Sequence, residues 1–147
     1  MKKRLYNTTI FYLVLALLAG VFYREFTKIN SFNAYSTLRV IHPHLIVLGV
    51  FVFLFILLLF KEQDAFFNTK LFKQFYLIYN IGLLSFSSML LVRGIVTVKT
   101  IALSHSIDAM ISGIAGLTHI LITVGLVLFF KVIKTGLNIT NESNIYE

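Results

Sequence analysis

Four apolar stretches, at about residues 6–23, 38–60, 71–98 and 108–133, are each long enough to cross a ~30 Å hydrocarbon core as a helix. Together they use up most of the 147 residues, so the loops must be short and a separate soluble domain has no chain to be built from. Lipid offers backbone groups no hydrogen-bond partner, and such stretches must therefore close their own bonds as helices; a barrel needs alternating polarity, which these continuous runs lack. Hydrophobic residues make up 58% of the chain and charged ones 13%, too few to clothe a water-soluble surface. The expectation is an all-α integral membrane four-helix bundle, a single domain over residues 1–147.

The first stretch stands behind Lys2, Lys3 and Arg4, like the start of a secretory signal. Its small-residue exit near Ala19 and Gly20 carries Leu17 where a second small residue is wanted, and Thr8, Tyr12, Ala16, Ala19 and Tyr23 share one face like a packing seam. It is read as a retained helix. A polar connection is expected from Arg24 to Thr37, a loop from Lys61 to Lys70, a turn from Lys99 to His105 and a polar tail from Lys134 to Glu147. With the amino terminus inside, the inner side holds Lys2, Lys3, Arg4, Lys61, Lys70, Lys73, Lys131 and Lys134, against Arg24, Lys28, Arg39, Arg93 and Lys99 on the other. That bias predicts a multi-pass membrane protein with both termini cytoplasmic. The formal net charge of +7 sits beside apolar ends rather than in a clustered stripe, so the lipid bilayer and its headgroups, not nucleic acid, are the partner it implies.

The absence of cysteine excludes disulfides, thiolate ligands and iron-sulfur clusters, and leaves histidine, carboxylate, methionine and tyrosine as the chemistry-bearing groups. At ~100° per residue, His105, Ser112, His119 and Thr123 fall within about 40° of one another on the fourth stretch, with Asp108 close by. Gly113, Ala115 and Gly116 flank this stripe and let a helix or a flat cofactor approach the backbone. His42 and His44 on the second stretch point to nearly opposite sides of a regular helix. His42 then shares the inward face with Arg39, Ile46, Gly49 and Phe53, and His44 a lipid-facing stripe with Leu48, Phe51, Phe55 and Leu58, unless a kink at Pro43 reverses the two. Arg93 lies near the end of the third stretch, so His42, His44, Arg93, His105, Asp108 and His119 all belong to the outer half of one small bundle.

Two chemistries fit this convergence. Haem b, held axially by His119 with His44 or His42 and with Arg93 at its propionates, suits the apolar surroundings. A copper or zinc ion held by His44, His119, His105 and Asp108 is the alternative. Against these stand plainer roles: His105 as a helix-start residue, Asp108 as a cap, Arg93 reaching for the interface, and His119 hydrogen-bonded to a serine or tyrosine of a neighbouring helix. The cofactor reading implies electron transfer, sensing or cofactor handling with a redox partner. The rivals are a non-catalytic scaffold, in which the small-residue seams join a homodimer, and a small proton or ion transporter. No nucleophile and base pair, phosphate loop or paired-carboxylate site is visible, and no catalytic reaction is assigned.

His42-Pro43-His44, Leu48-Gly49 and the phenylalanines of the second stretch, with Gly113 to His119 on the fourth, resemble the small bacterial four-helix membrane proteins grouped as domain of unknown function 2871. The resemblance covers nearly the whole chain and implies the fold, with no activity attached. More loosely, two histidines one residue apart followed by a glycine are similar to the haem-ligating helix of haem-copper oxidase subunit I, where paired histidines serve haems on opposite faces. Here Pro43 replaces an aromatic residue, the glycine spacing is off by one, and the other ligand-bearing helices are missing. The similarity is an analogy of ligand placement.

Overall fold

A computed structural model of the chain describes residues 1–145, with side chains described through Asn138. Four helices are long and apolar enough to cross a bilayer: α1 (Lys2–Ile29), α2 (Leu38–Leu59), α3 (Lys70–Val98) and α4 (His105–Ile145). Contacts run up and down in sequence. Tyr12 stacks on Phe53 as α1 meets α2 in antiparallel fashion, His44 meets Phe86 between α2 and α3, and Phe75 meets Phe129 between α3 and α4. One end of the bundle is rich in lysine, and the other carries His42, His44, Arg93 and His105.

Two helices outrun the apolar stretches. Arg24, Glu25, Thr27 and Lys28 contain no helix breaker, so α1 continues through residues expected to be a connection and stops only at Asn30, whose side-chain amide donates to Phe26 O at 2.7 Å. Ser31 then takes φ 49°, the left-handed turn that closes a helix end. At the far end, the segment expected as a polar tail from Lys134 is helical to Ile145; Tyr146 and Glu147 lie outside the described residues. α3 starts at a conventional cap, with Phe72 N donating to Thr69 Oγ1 at 3.2 Å.

Between apolar helices in lipid there is little hydrophobic drive, so cohesion falls to close packing and interhelical hydrogen bonds. The core is aromatic: Tyr12, Phe53, Phe60, Phe66, Phe67, Phe72, Phe75 and Tyr79 are fully buried. Their polar tips find partners on other helices. Tyr12 Oη donates to Asn80 Oδ1 at 2.8 Å, Tyr79 Oη to Leu48 O at 2.9 Å, and Tyr76 Oη shares a 2.6 Å bond with Thr8 Oγ1. At the other end Thr37 Oγ1 donates to Leu90 O at 2.8 Å, and Ser36 Oγ to Gly94 O at 3.3 Å. Tyr12→Phe removes one clasp between α1 and α3 and leaves Asn80 Oδ1 unpaired; an expected loss of about 1–2 kcal/mol is measurable as a lower thermal midpoint in detergent.

Candidate functional site

Pro43 does not break α2. Helix continues through it and widens into a π-helical stretch over Leu45–Phe51 before returning to α geometry at Val52. Proline withholds an amide and crowds the carbonyl four residues back, and a locally wider helix is one way a membrane helix absorbs that. Two carbonyls along this segment have side-chain partners: Val40 O from His44 Nδ1 at 2.6 Å and Leu48 O from Tyr79.

The wider turns separate His44 from the residues expected to share its face. Phe51, Phe55 and Leu58 are exposed, whereas His44 is half-buried against Phe86 of α3, with ring centroids 5.4 Å apart. The lipid-facing assignment of His44 is therefore corrected: α2 lies between α1 and α3, and each flank has a neighbour. His42 occupies the opposite flank, its Nδ1 2.8 Å from Ala16 O and its ring over Gly20 of α1. Arg39, expected on the inward face, is exposed and lies over the Tyr35 ring.

Phe86 also receives His119 of α4, edge to face at 4.5 Å between centroids. His44 and His119, from two different helices, thus share one phenyl ring and are no further apart than the sum of those two separations. Their hydrogen bonding is alike. His119 Nδ1 faces Ala115 O at 3.2 Å, four residues back, as His44 Nδ1 faces Val40 O. A carbonyl oxygen only accepts, so each Nδ1 carries the proton and each Nε2 presents a lone pair. The plain reading of His119, a bond to a neighbouring helix's serine or tyrosine, is not what the structure has; its partner lies on its own helix.

Arg93 of α3 pairs with Asp108 of α4, and its other amino group donates to Ser112 Oγ at 2.6 Å. The cluster joins the ends of α3 and α4. Because the side chains of Arg93 and Asp108 are 33% and 52% exposed, the pair is screened at the interface, and Asp108→Asn is expected to shift stability by less than about 1 kcal/mol in detergent unfolding. His105 is the exposed first residue of α4, as its plain reading has it. His42, turned to α1, stands apart from the His44–Phe86–His119 group. Among the described residues no three of His, Asp or Glu gather where they could hold a metal ion, so His44, His119, His105 and Asp108 do not form a cluster.

The exposed stripe of α4 is unusual for a membrane helix. Ser112, His119 and Thr123 are exposed, and a Cβ added at Gly113 or Gly116 would meet nothing within 4 Å. Elsewhere the glycines are tight contacts, with Gly82 of α3 against the Ile122 backbone and Gly125 of α4 against Tyr79. The open glycines thus mark space beside His119 rather than a seam within the chain.

The sequence profile of the family described as "Protein of unknown function (DUF2871)" matches residues 1–136. The chain belongs to that family. The match takes in α1, α2, α3 and α4 as far as Gly136 of this DUF2871 protein, with the whole His44–Phe86–His119 group. No curated protein and no solved structure matches the chain.

Proposed function

We propose that this DUF2871 protein binds haem b at the histidine end of its bundle, where His44 and His119 would hold its iron. The observation that carries the reading is the placement of two imidazoles from different helices against one phenylalanine, each with Nδ1 within hydrogen-bond distance of a carbonyl oxygen and Nε2 without a protein partner among the described residues. That is the arrangement in which a histidine ligates iron through Nε2 with its ring held by the second nitrogen. The open surface at Gly113 and Gly116 suits a flat macrocycle, and Arg93, about 10 Å along α3 from Phe86, would hold a propionate. Bound there, haem supplies one-electron chemistry, which fits electron transfer, redox or gas sensing, or cofactor handling. The protein's own part is to fix the rings through Val40 O and Ala115 O and to leave the α4 surface beside His119 open.

The lysine-rich end of the bundle supports a cytoplasmic-membrane orientation with both termini inside, which puts the haem nearer the outer face. Optical spectra of protein purified from haem-replete cells test the reading: a Soret band with the sharp visible bands of low-spin bis-histidine haem is expected. An intact bundle that stays colourless after incubation with haemin, and associates with itself through α4, would replace it with a scaffold role.

A further inference from the structure

At the lysine-rich end of the bundle, helices α1 and α3 run parallel, and the Thr8–Tyr76 and Tyr12–Asn80 hydrogen bonds pin them together. Beside these bonds lies an open groove of about 480 Å³. Its mouth is marked by Arg4 and Asn7 of α1, both exposed, and its floor by Thr8, Tyr76 and Asn80, all half-buried.

Hydrogen bonding divides the polar groups of the groove by depth. Thr8 Oγ1 donates to Arg4 O at 3.0 Å and so accepts from Tyr76 Oη, while Asn80 accepts from Tyr12 and donates to Tyr76 O at 2.6 Å. The floor groups therefore answer one another. Those at the mouth do not. The Arg4 guanidinium lies 4.9 Å over the Tyr76 ring and pairs with no carboxylate among the described residues, and the Asn7 side chain has no hydrogen-bond partner among them. The acids of the loop between α2 and α3 are already taken, Asp64 by Lys2 at 2.9 Å and Glu62 by Lys61 at 3.7 Å. We propose that this groove holds one anionic phospholipid, its phosphate accepting from Arg4 and Asn7 and an acyl chain lying along Phe11, Leu77, Ile81 and Leu84.

Charge and depth together select this occupant. Arg4 and Asn7 stand in the first two turns of α1, at the level of the headgroups, where an unpaired guanidinium attracts an anion. Lys73, one turn before Leu77 on the same face of α3, is exposed and adds a second positive charge without an ion pair among the described residues. Further in, the exposed side chains are apolar, and Leu84 lies about 12 Å beyond Tyr76 along α3, a run that suits a chain and not a headgroup. A zwitterionic phospholipid would bring its own cation to a mouth that offers no carboxylate, and a free phosphate would leave the apolar wall uncovered. The Tyr76 ring holds the guanidinium in place before the anion arrives. The groove is at the opposite end of the bundle from His44 and His119, so this reading and the haem reading stand or fall separately.

The test is native mass spectrometry of the full chain in detergent, titrated in separate arms with phosphatidylglycerol, with phosphatidylcholine of the same acyl chains, and with glycerol phosphate. One phosphatidylglycerol per chain is expected to be retained, about five- to tenfold more tightly than phosphatidylcholine, with no retention of glycerol phosphate. Arg4→Gln removes the cation, and Asn7→Asp sets a carboxylate beside it. Each is expected to bring phosphatidylglycerol down to the level of phosphatidylcholine with helical content unchanged, since both side chains are exposed. Lys61→Gln, at the same end but outside the groove, controls for general basicity and should keep the preference. Should Arg4→Gln not fold, Asn7→Asp decides alone. Equal retention of the two lipids, a preference indifferent to Arg4→Gln and Asn7→Asp, or an equal loss in Lys61→Gln would overturn the proposal. So would glycerol phosphate bound as tightly as the lipid, which would make the mouth a site for a soluble anion.

Discussion

Replacing His119 by alanine is expected to strip the protein of haem: less than about a tenth of the wild-type Soret absorbance should survive purification, with the helix content unchanged. The fold should tolerate the change because the His119 ring is exposed and its Nδ1 bond is made within its own helix, so no buried partner is orphaned. His44→Ala is expected to leave a weaker, five-coordinate haem, since His119 keeps its ring geometry through Ala115 O. His42→Ala should leave the spectrum alone while loosening α1 from α2, because His42 binds Ala16 O on the other flank. The sharpest variant is His119→Met. A thioether ligand retains haem but raises the midpoint potential by something on the order of 0.1 V, which a structural role for His119 would not produce. If all four variants show the same spectrum as the parent, the proposed ligand pair is wrong.

Gly94→Ala is expected to cost about 1–3 kcal/mol and to lower the thermal midpoint of the bundle, the largest stability effect of any single added methyl group near the histidine end. A Cβ at Gly94 would stand 2.5 Å from Leu38 Cγ and 2.9 Å from Leu38 N. The side chain can rotate, but the backbone nitrogen begins α2, and moving it pulls Ser36 and Thr37 off the carbonyls of Gly94 and Leu90. Gly113→Ala is the matched control. Its Cβ meets nothing, so helix propensity is the main term left and the change should stabilise by about 0.5–1 kcal/mol. Circular dichroism melts of the two variants in one detergent separate tight contact from open surface. Equal midpoints would mean that the start of α2 is not seated on α3.

Much of this architecture is legible in the residues. Four spans and the packing seam of α1 follow from hydropathy and from small residues at helical spacing, and Tyr12 and Ala16 of that seam are fully buried. The polar stripe of α4 follows from angular arithmetic, because one regular helix carries all of it. The second span resists the same arithmetic. Its π-helical stretch changes the angle per residue, so projection from a regular helix puts His44 beside Phe51 and Phe55 instead of beside Phe86. Helix ends lie beyond the apolar stretches for a related reason: hydropathy marks the length of an apolar stretch, whereas α1 and α4 continue past it for as long as no residue breaks them.

Hydrocarbon thickness and the need to satisfy every amide determine, from composition along the chain alone, that this DUF2871 protein is four apolar helices joined by short loops. Those constraints act on each residue singly and need no knowledge of neighbours. Which imidazoles meet and which glycines are crowded depend on how one helix rolls against another. That roll is set by contacts such as Tyr12 on Phe53 and Gly82 on Ile122, between residues far apart in the chain, and only the folded bundle decides it.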